Sequence, residues 1–218
     1  MNGLPEVTTG GGEPGSLRLV ATLSLAGLLS GLIIVLAFET TLPTITAYKA
    51  RMLREAVFNV LPSVTSLKRL VYRNGKLVET EDEQKGDQAI FSGYDQNGRL
   101  VGYAIPGAGP GFQDTIRLLY GYLPAERKVS GMEILESRET PGLGDKIYKD
   151  ESFVSGFRSL AVDPEIRAVK KGKRTAANEI DAITGATISS KAVVRIINEA
   201  NRQWLPRLEA AQPTVTGD

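Results

Sequence analysis

The sequence predicts an α+β chain: a single N-terminal transmembrane helix, then a mostly antiparallel sheet domain with flanking helices. Three observations predict it. Leu17 to Phe38 is nearly all apolar, the middle of the chain is a series of short strand-like runs punctuated by hairpin turn signals, and Ile188 to Leu205 repeats its apolar residues at helical spacing.

Residues 1–16 are rich in Gly, include Pro5 and Pro14 and lack apolar periodicity, so they read as a disordered tail. The span over residues 17–40 carries Arg18 as its only charge before Glu39. Twenty such residues rise about 30 Å as a helix, enough to cross the hydrocarbon core. A cleaved signal peptide would be preceded by positive charge and followed by a small-x-small site. The tail before Arg18 has no Lys or Arg and Leu36-Ala37-Phe38-Glu39 is a poor cleavage site, so the span reads as a retained anchor. Within it, Gly27 and Gly31 form a Gly-x-x-x-Gly pair that suits a partner helix, although Gly is common in such spans in any case.

Residues 41–62 read as a linking helix, with Met52, Leu53, Ala56, Val57, Val60 and Leu61 at helical spacing and Pro62 as the stop. The folded domain then occupies residues 63–208, leaving 209–218 as a C-terminal tail. Its strand-like runs are Leu67 to Val78 broken at Asn74-Gly75, Gln88 to Tyr94, Arg99 to Ile105 after Asn97-Gly98, Thr115 to Tyr122 and Lys128 to Glu136. Phe153 to Leu160 is expected as a short helix. The longer helix from Ile188 would bury Val193, Ile196, Ile197, Ala200 and Trp204 on one face.

Composition excludes several kinds of chemistry. There are no cysteines and no histidines, which removes disulfides, thiolate-held iron–sulfur clusters, His-ligated haem, the usual zinc sites, and Ser-His-Asp or Cys-His catalysis. Redox work would fall to an organic cofactor. The charges nearly cancel at +1, which gives no reason to expect a nucleic-acid partner. The basic run Lys170 to Arg174 is short, lacks interleaved aromatics and reads as a solvated connection.

The most informative run is Asp181-Ala182-Ile183-Thr184-Gly185-Ala186-Thr187, which leads directly into the long C-terminal helix. A small-residue turn with hydroxyls at a helix N-terminus is where a phosphate is most easily held. Thr184 or Thr187 would also serve as an ordinary helix cap, and the two roles coexist. A second block, Arg138-Glu139-Thr140-Pro141-Gly142-Leu143-Gly144-Asp145, would by itself read as a rigid turn. A third, Gly107 to Phe112, is a glycine-rich loop that fits neither a dinucleotide fingerprint nor a P-loop.

The first block resembles the flavinylation motif Asp-x-x-Ser/Thr-Gly-Ala-Thr/Ser, and the second is close to a Glu-Thr-Pro-Gly-Leu-Gly signature. With both in order, the chain resembles the G subunit of Rnf-type electron-transport complexes, whose FMN-binding domain is shared with the C subunit of sodium-translocating NADH:quinone reductase. The resemblance implies FMN as cofactor, joined by a phosphoester to Thr187, with Asp181, Thr184, Gly185 and Ala186 completing the motif. It implies that Glu139, Thr140, Gly142 and Leu143 lie against the flavin, with Phe112 either a further contact or a core residue, and that Asp181 helps hold the metal used by a separate flavin transferase. No catalytic side chain and no resident metal are expected.

On the same ground the chain is expected in the bacterial inner membrane as a single-pass protein. Its partners would be the other integral membrane and redox subunits of a complex that couples ferredoxin/NAD electron transfer to Na⁺ or H⁺ translocation. The flavin domain would lie on the periplasmic side, although Lys49, Arg51 and Arg54 after the span, against Arg18 before it, favour the cytoplasm by the positive-inside rule. The alternatives are the quinone-reductase C subunit, a stand-alone flavin-domain reductase or sensor, and a tethered structural module without cofactor.

Overall fold

The computed structural model describes residues 15–80 and 88–211. The expected tail over residues 1–16 lies, up to residue 14, outside the described residues, as does the chain beyond Ala211. Two compact units are present, Met1–Ala50 and Arg51–Asp218.

Helix α1 runs over Ser16–Val60, 45 residues with Pro43 inside it, so the expected span and linking helix are continuous. Pro43 removes one backbone donor, a local loss that a long helix absorbs. Nearby hydroxyls supplement the ladder, with Thr40 Oγ1 donating to Leu36 O at 2.9 Å and Thr46 Oγ1 to Leu42 O at 2.9 Å. The helix contains one segment long and apolar enough to cross a membrane.

In the second unit, β1 (Ser66–Arg73), β2 (Lys76–Glu79), β3 (Ala89–Tyr94), β4 (Leu100–Pro110), β5 (Thr115–Leu123), β6 (Lys128–Glu136) and β7 (Leu160–Ala161) form one antiparallel sheet in the order β2-β1-β3-β4-β5-β6-β7. Short helices α2 (Lys146–Lys149) and α3 (Glu151–Ser155) follow β6. Strands β8 (Arg167–Lys170) and β9 (Glu179–Ala182) pair in parallel as a separate ribbon, and α4 (Thr187–Ala211) closes the chain. The α+β architecture, with its antiparallel sheet and flanking helices, is the one the sequence predicts.

Side-chain alternation along the sheet supplies two apolar faces. Ile105, Leu118 and Tyr120 join α4 residues Val193, Ile196, Ile197, Ala200 and Trp204 in the main core. Ala104 and Leu119 point the other way and pack with Ala56, Val57, Val60 and Leu61 at the end of α1. Helix α4 lies so close to β4 that a Cβ on Gly107 or Gly109 would come within 2.8 Å of the Ile196 side chain. The Tyr120 hydroxyl, buried beneath α4, donates to Asn201 Oδ1 at 2.7 Å.

Two local expectations change. The glycine-rich stretch 107–110 is the end of β4 rather than a loop, because paired glycines let the helix approach while the ladder to β5 continues to Pro110↔Thr115. The helix expected over Phe153 to Leu160 ends at Ser155, and Leu160 enters β7. Asp150 caps its start by accepting from Phe153 N at 3.2 Å, and Ser159, at φ 62°, turns the chain back to the sheet.

Candidate functional site

Two turns of the same design meet at the N-terminal end of α4. In the first, Ala186 N donates to Ile183 O at 3.0 Å and Gly185 holds φ +84° in the third position, where a type II turn requires a positive φ. In the second, Leu143 N donates to Thr140 O at 3.2 Å, with Pro141 second and Gly142 third at φ +77°. They lie side by side, since a Cβ built on Gly185 would sit 3.8 Å from Leu143 Cδ2. Among the described residues nothing else lies within 4 Å of such an atom at Gly185, and nothing at all at Gly142, so the ground above both glycines is open.

Thr187 is the first residue of α4 and is exposed, as are Thr184 and Gly185, whereas Ala186 is buried. Among the described residues the Thr187 hydroxyl makes only a long bond to Ile183 O, 3.4 Å, which leaves its oxygen accessible at a helix end whose first-turn amides favour an anion. Three large apolar side chains in this part of the fold are solvent-exposed: Phe112 at 64%, Leu143 at 50% and Ile188 at 59%. Phe112 is therefore not a core residue. The exposed hydroxyl thus stands beside exposed apolar side chains, Ile188 next to it in α4 and Leu143 against the Gly185 turn.

The serines after Thr187 fasten the site from beneath. Ser190 Oγ donates to Ala186 O at 2.8 Å and accepts from Ile183 N at 3.1 Å, which locks the first turn. Ser189 Oγ donates to Glu139 Oε2, while Glu139 Oε1 accepts from Phe112 N at 2.9 Å and Gln113 N at 3.0 Å. Burial alone would raise the Glu139 carboxyl, but these donors together outweigh it and hold the group below the usual carboxylate range. The Thr140 hydroxyl donates to Gln113 Oε1 at 2.8 Å, a further link between the two loops. At the far end of the 139–145 loop, the Lys149 ammonium lies 2.6 Å from Asp145 Oδ2 and keeps that carboxyl low.

Asp181 stands on β9, and its Oδ1 is buried without a hydrogen-bond partner among the described residues. No cluster of three or more metal-ligating side chains occurs among the described residues. A groove of about 460 Å³ opens along α4 instead, lined by Arg167, Lys191, Arg195 and Arg202 among others. It does not include Thr187.

Sequence reasoning missed Gln113 and Ser189. Ser189 carried a signal, because it shares the buried stripe of α4 with Val193 and Ile196, and a hydroxyl on such a stripe needs a polar partner from another element. The pairing of Glu139 with backbone amides 27 and 26 residues away carried none.

Residues 111–202 match the FMN-binding domain family, and that span covers both turns and the first part of α4, which identifies FMN as the cofactor of this domain. Among curated proteins, the G subunit of the proton-translocating ferredoxin:NAD(+) oxidoreductase complex of Clostridium ljungdahlii is 32% identical over 166 residues, 73% of this chain and 86% of that one. The G subunit of the ion-translocating oxidoreductase complex of Haemophilus influenzae is 32% identical over 201 residues, 88% of this chain and 85% of that one. Among solved structures, NqrC of Shewanella oneidensis superposes with a TM-score of 0.61 at 20% identity, covering 76% of this chain and all of that one, a likeness of fold. With the two loop motifs, the sheet and the relatives in agreement over most of the chain, it belongs to the family of G subunits of ion-translocating oxidoreductase complexes.

Proposed function

We propose that this chain is the flavin-carrying electron-transfer subunit of an Rnf-type complex, holding FMN covalently as a phosphoester on Thr187. The observation that carries the proposal is the exposed Thr187 hydroxyl at the head of α4, beyond an open type II turn, with the whole Asp-x-x-Thr-Gly-Ala-Thr motif around it. FMN supplies the redox chemistry, accepting and releasing electrons. The chain's own residues bind and orient. First-turn amides of α4 face the phosphate charge, Gly185 and Ala186 keep bulk away from the ester, and Phe112, Thr140, Gly142 and Leu143 form the wall against which the ring system rests.

Asp181, with its unpartnered Oδ1, is the acceptor that completes a metal site only when the flavin transferase brings further ligands. The apolar span of α1 anchors the chain in the bacterial inner membrane as a single pass, with the flavin domain on the periplasmic side. Its partners are the other membrane and redox subunits of the complex, which moves electrons between ferredoxin and NAD and couples that flow to Na⁺ or H⁺ transport. The G-subunit relatives favour this assembly over the quinone-reductase C subunit, to which the likeness is one of fold.

The test is direct. Full-length protein co-produced with its flavin transferase should fluoresce under ultraviolet light on a denaturing gel, the Thr187→Ala chain should be dark, and peptide mass analysis should find the flavin on Thr187. A wild-type band that loses its flavin on denaturation, or a modified peptide elsewhere in the chain, would remove the proposal.

A further inference from the structure

We infer that Glu139 is a positioning residue, holding the Phe112 loop to the first turn of α4 and placing a fixed negative charge beside the flavin without touching it. This rests on the reading of Thr187 as the flavin attachment point. Glu139 is only 5% exposed. Both of its oxygens are spent within the protein, Oε1 on the amides of Phe112 and Gln113, with Asp114 N at 3.5 Å, and Oε2 on Ser189 Oγ. An ionised carboxylate only accepts hydrogen bonds, so it has nothing to donate to flavin carbonyls or ring nitrogens. The flavin phosphate would repel it.

The surroundings are built to this side chain. A Cβ on Gly111 would collide with Glu139 Oε1, and one on Gly144 would come within 2.7 Å of Glu139 Cβ and 2.8 Å of its Oε2. Two glycines on two different loops thus leave the volume the carboxylate fills. The tie spans the site: Phe112 is one exposed apolar wall, and Ser189 lies two residues past Thr187 in the same helical turn. Its charge is met by dipoles alone, since no Lys or Arg among the described residues lies within ion-pair distance of it. Amides and a hydroxyl stabilise a carboxylate but do not cancel its charge. Electrons added to a flavin nearby therefore work against a fixed like charge, which pulls the reduction potential down.

Two variants separate the charge from the tie. In Glu139→Gln the side-chain carbonyl still accepts from the 112 and 113 amides and the NH₂ still reaches Ser189, so the loops stay joined and only the charge is lost. In Ser189→Ala the charge stays and the bond to α4 goes. Both are made as full-length, flavinylated chains and read by spectroelectrochemical titration and by amide hydrogen exchange. Glu139→Gln should shift the flavin midpoint to more positive potential with wild-type exchange at residues 112–114. Ser189→Ala should keep the wild-type midpoint while amides of residues 112–114 and of the first turn of α4 exchange about tenfold faster, as loss of one hydrogen bond to a charged group implies. An unchanged midpoint in a flavinylated Glu139→Gln chain overturns the charge, and unchanged exchange in Ser189→Ala overturns the tie. A wild type without covalent flavin fails earlier and sinks the functional proposal itself, so the two failures are told apart.

Discussion

Two glycines near Thr187 resist substitution for different reasons. Gly185 holds a φ of +84° and its Cβ would make only an ordinary contact with Leu143 Cδ2 at 3.8 Å, so Gly185→Ala brings no clash and costs only backbone strain, about 1–2 kcal/mol. Gly144 shows no positive φ, yet its Cβ would meet the Glu139 side chain at 2.7 Å, so Gly144→Ala is an overpacking change of about 1–3 kcal/mol. Urea denaturation of both should show a loss of that size. Flavinylation rate then discriminates: Gly185→Ala should slow it by distorting the turn before Thr187, whereas a Gly185→Ala chain that is modified at the wild-type rate would mean the turn does not present the hydroxyl. The motif residues were legible because each is a residue type with a narrow use. Gln113 was not, because an exposed Gln carries no conformational or burial preference that marks it as the acceptor for Thr140.

At the scale of elements, β1 to β6 were legible as strand-like runs punctuated by turn signals, and Asn74-Gly75, with both residues at positive φ, forms the tight β1–β2 connection. What could not be read was the short, non-local pairing of β7 with β6 and the parallel ribbon of β8 and β9. A strand of two residues has no period, and the ribbon depends on α4 to hold it. Asn198 makes that attachment, accepting from Ile166 N at 3.2 Å through Oδ1 and donating to Ile166 O at 2.8 Å through Nδ2. Asn198→Ala strands both backbone groups in a buried place, at about 1–3 kcal/mol for each. Its thermal midpoint should fall clearly below that of Asn201→Ala, which leaves only the Tyr120 hydroxyl without its acceptor. On the other sheet face, Leu61→Ala empties a fully buried position packed with Ala104 and Leu119 and should cost about 2–5 kcal/mol.

For the whole molecule, pH sensitivity follows from which titratable groups exist and where they sit. The chain has no histidine, so no side chain with an ordinary value near neutrality changes charge between about pH 5 and 8, and stability should be flat there. The acid side differs. Glu139 is held below its ordinary range by the Ser189 hydroxyl and the 112–114 amides against the opposing effect of burial, and Asp145 is held low chiefly by Lys149. A carboxyl whose folded value is depressed adds stability that is fully present above its unfolded value, about 4.3 for Glu and about 3.9 for Asp, and that fades as the pH falls through the lower folded value. The urea midpoint of the full chain should therefore stay level from pH 8 to about pH 5 and fall increasingly below about pH 4. Glu139→Gln removes one of these linked protons, so its acid limb should be shallower than wild type while the plateau keeps its shape. An acid limb of equal steepness in the variant would mean that Glu139 takes up its proton alike in the folded and unfolded chain, which a carboxylate holding two loops together does not do.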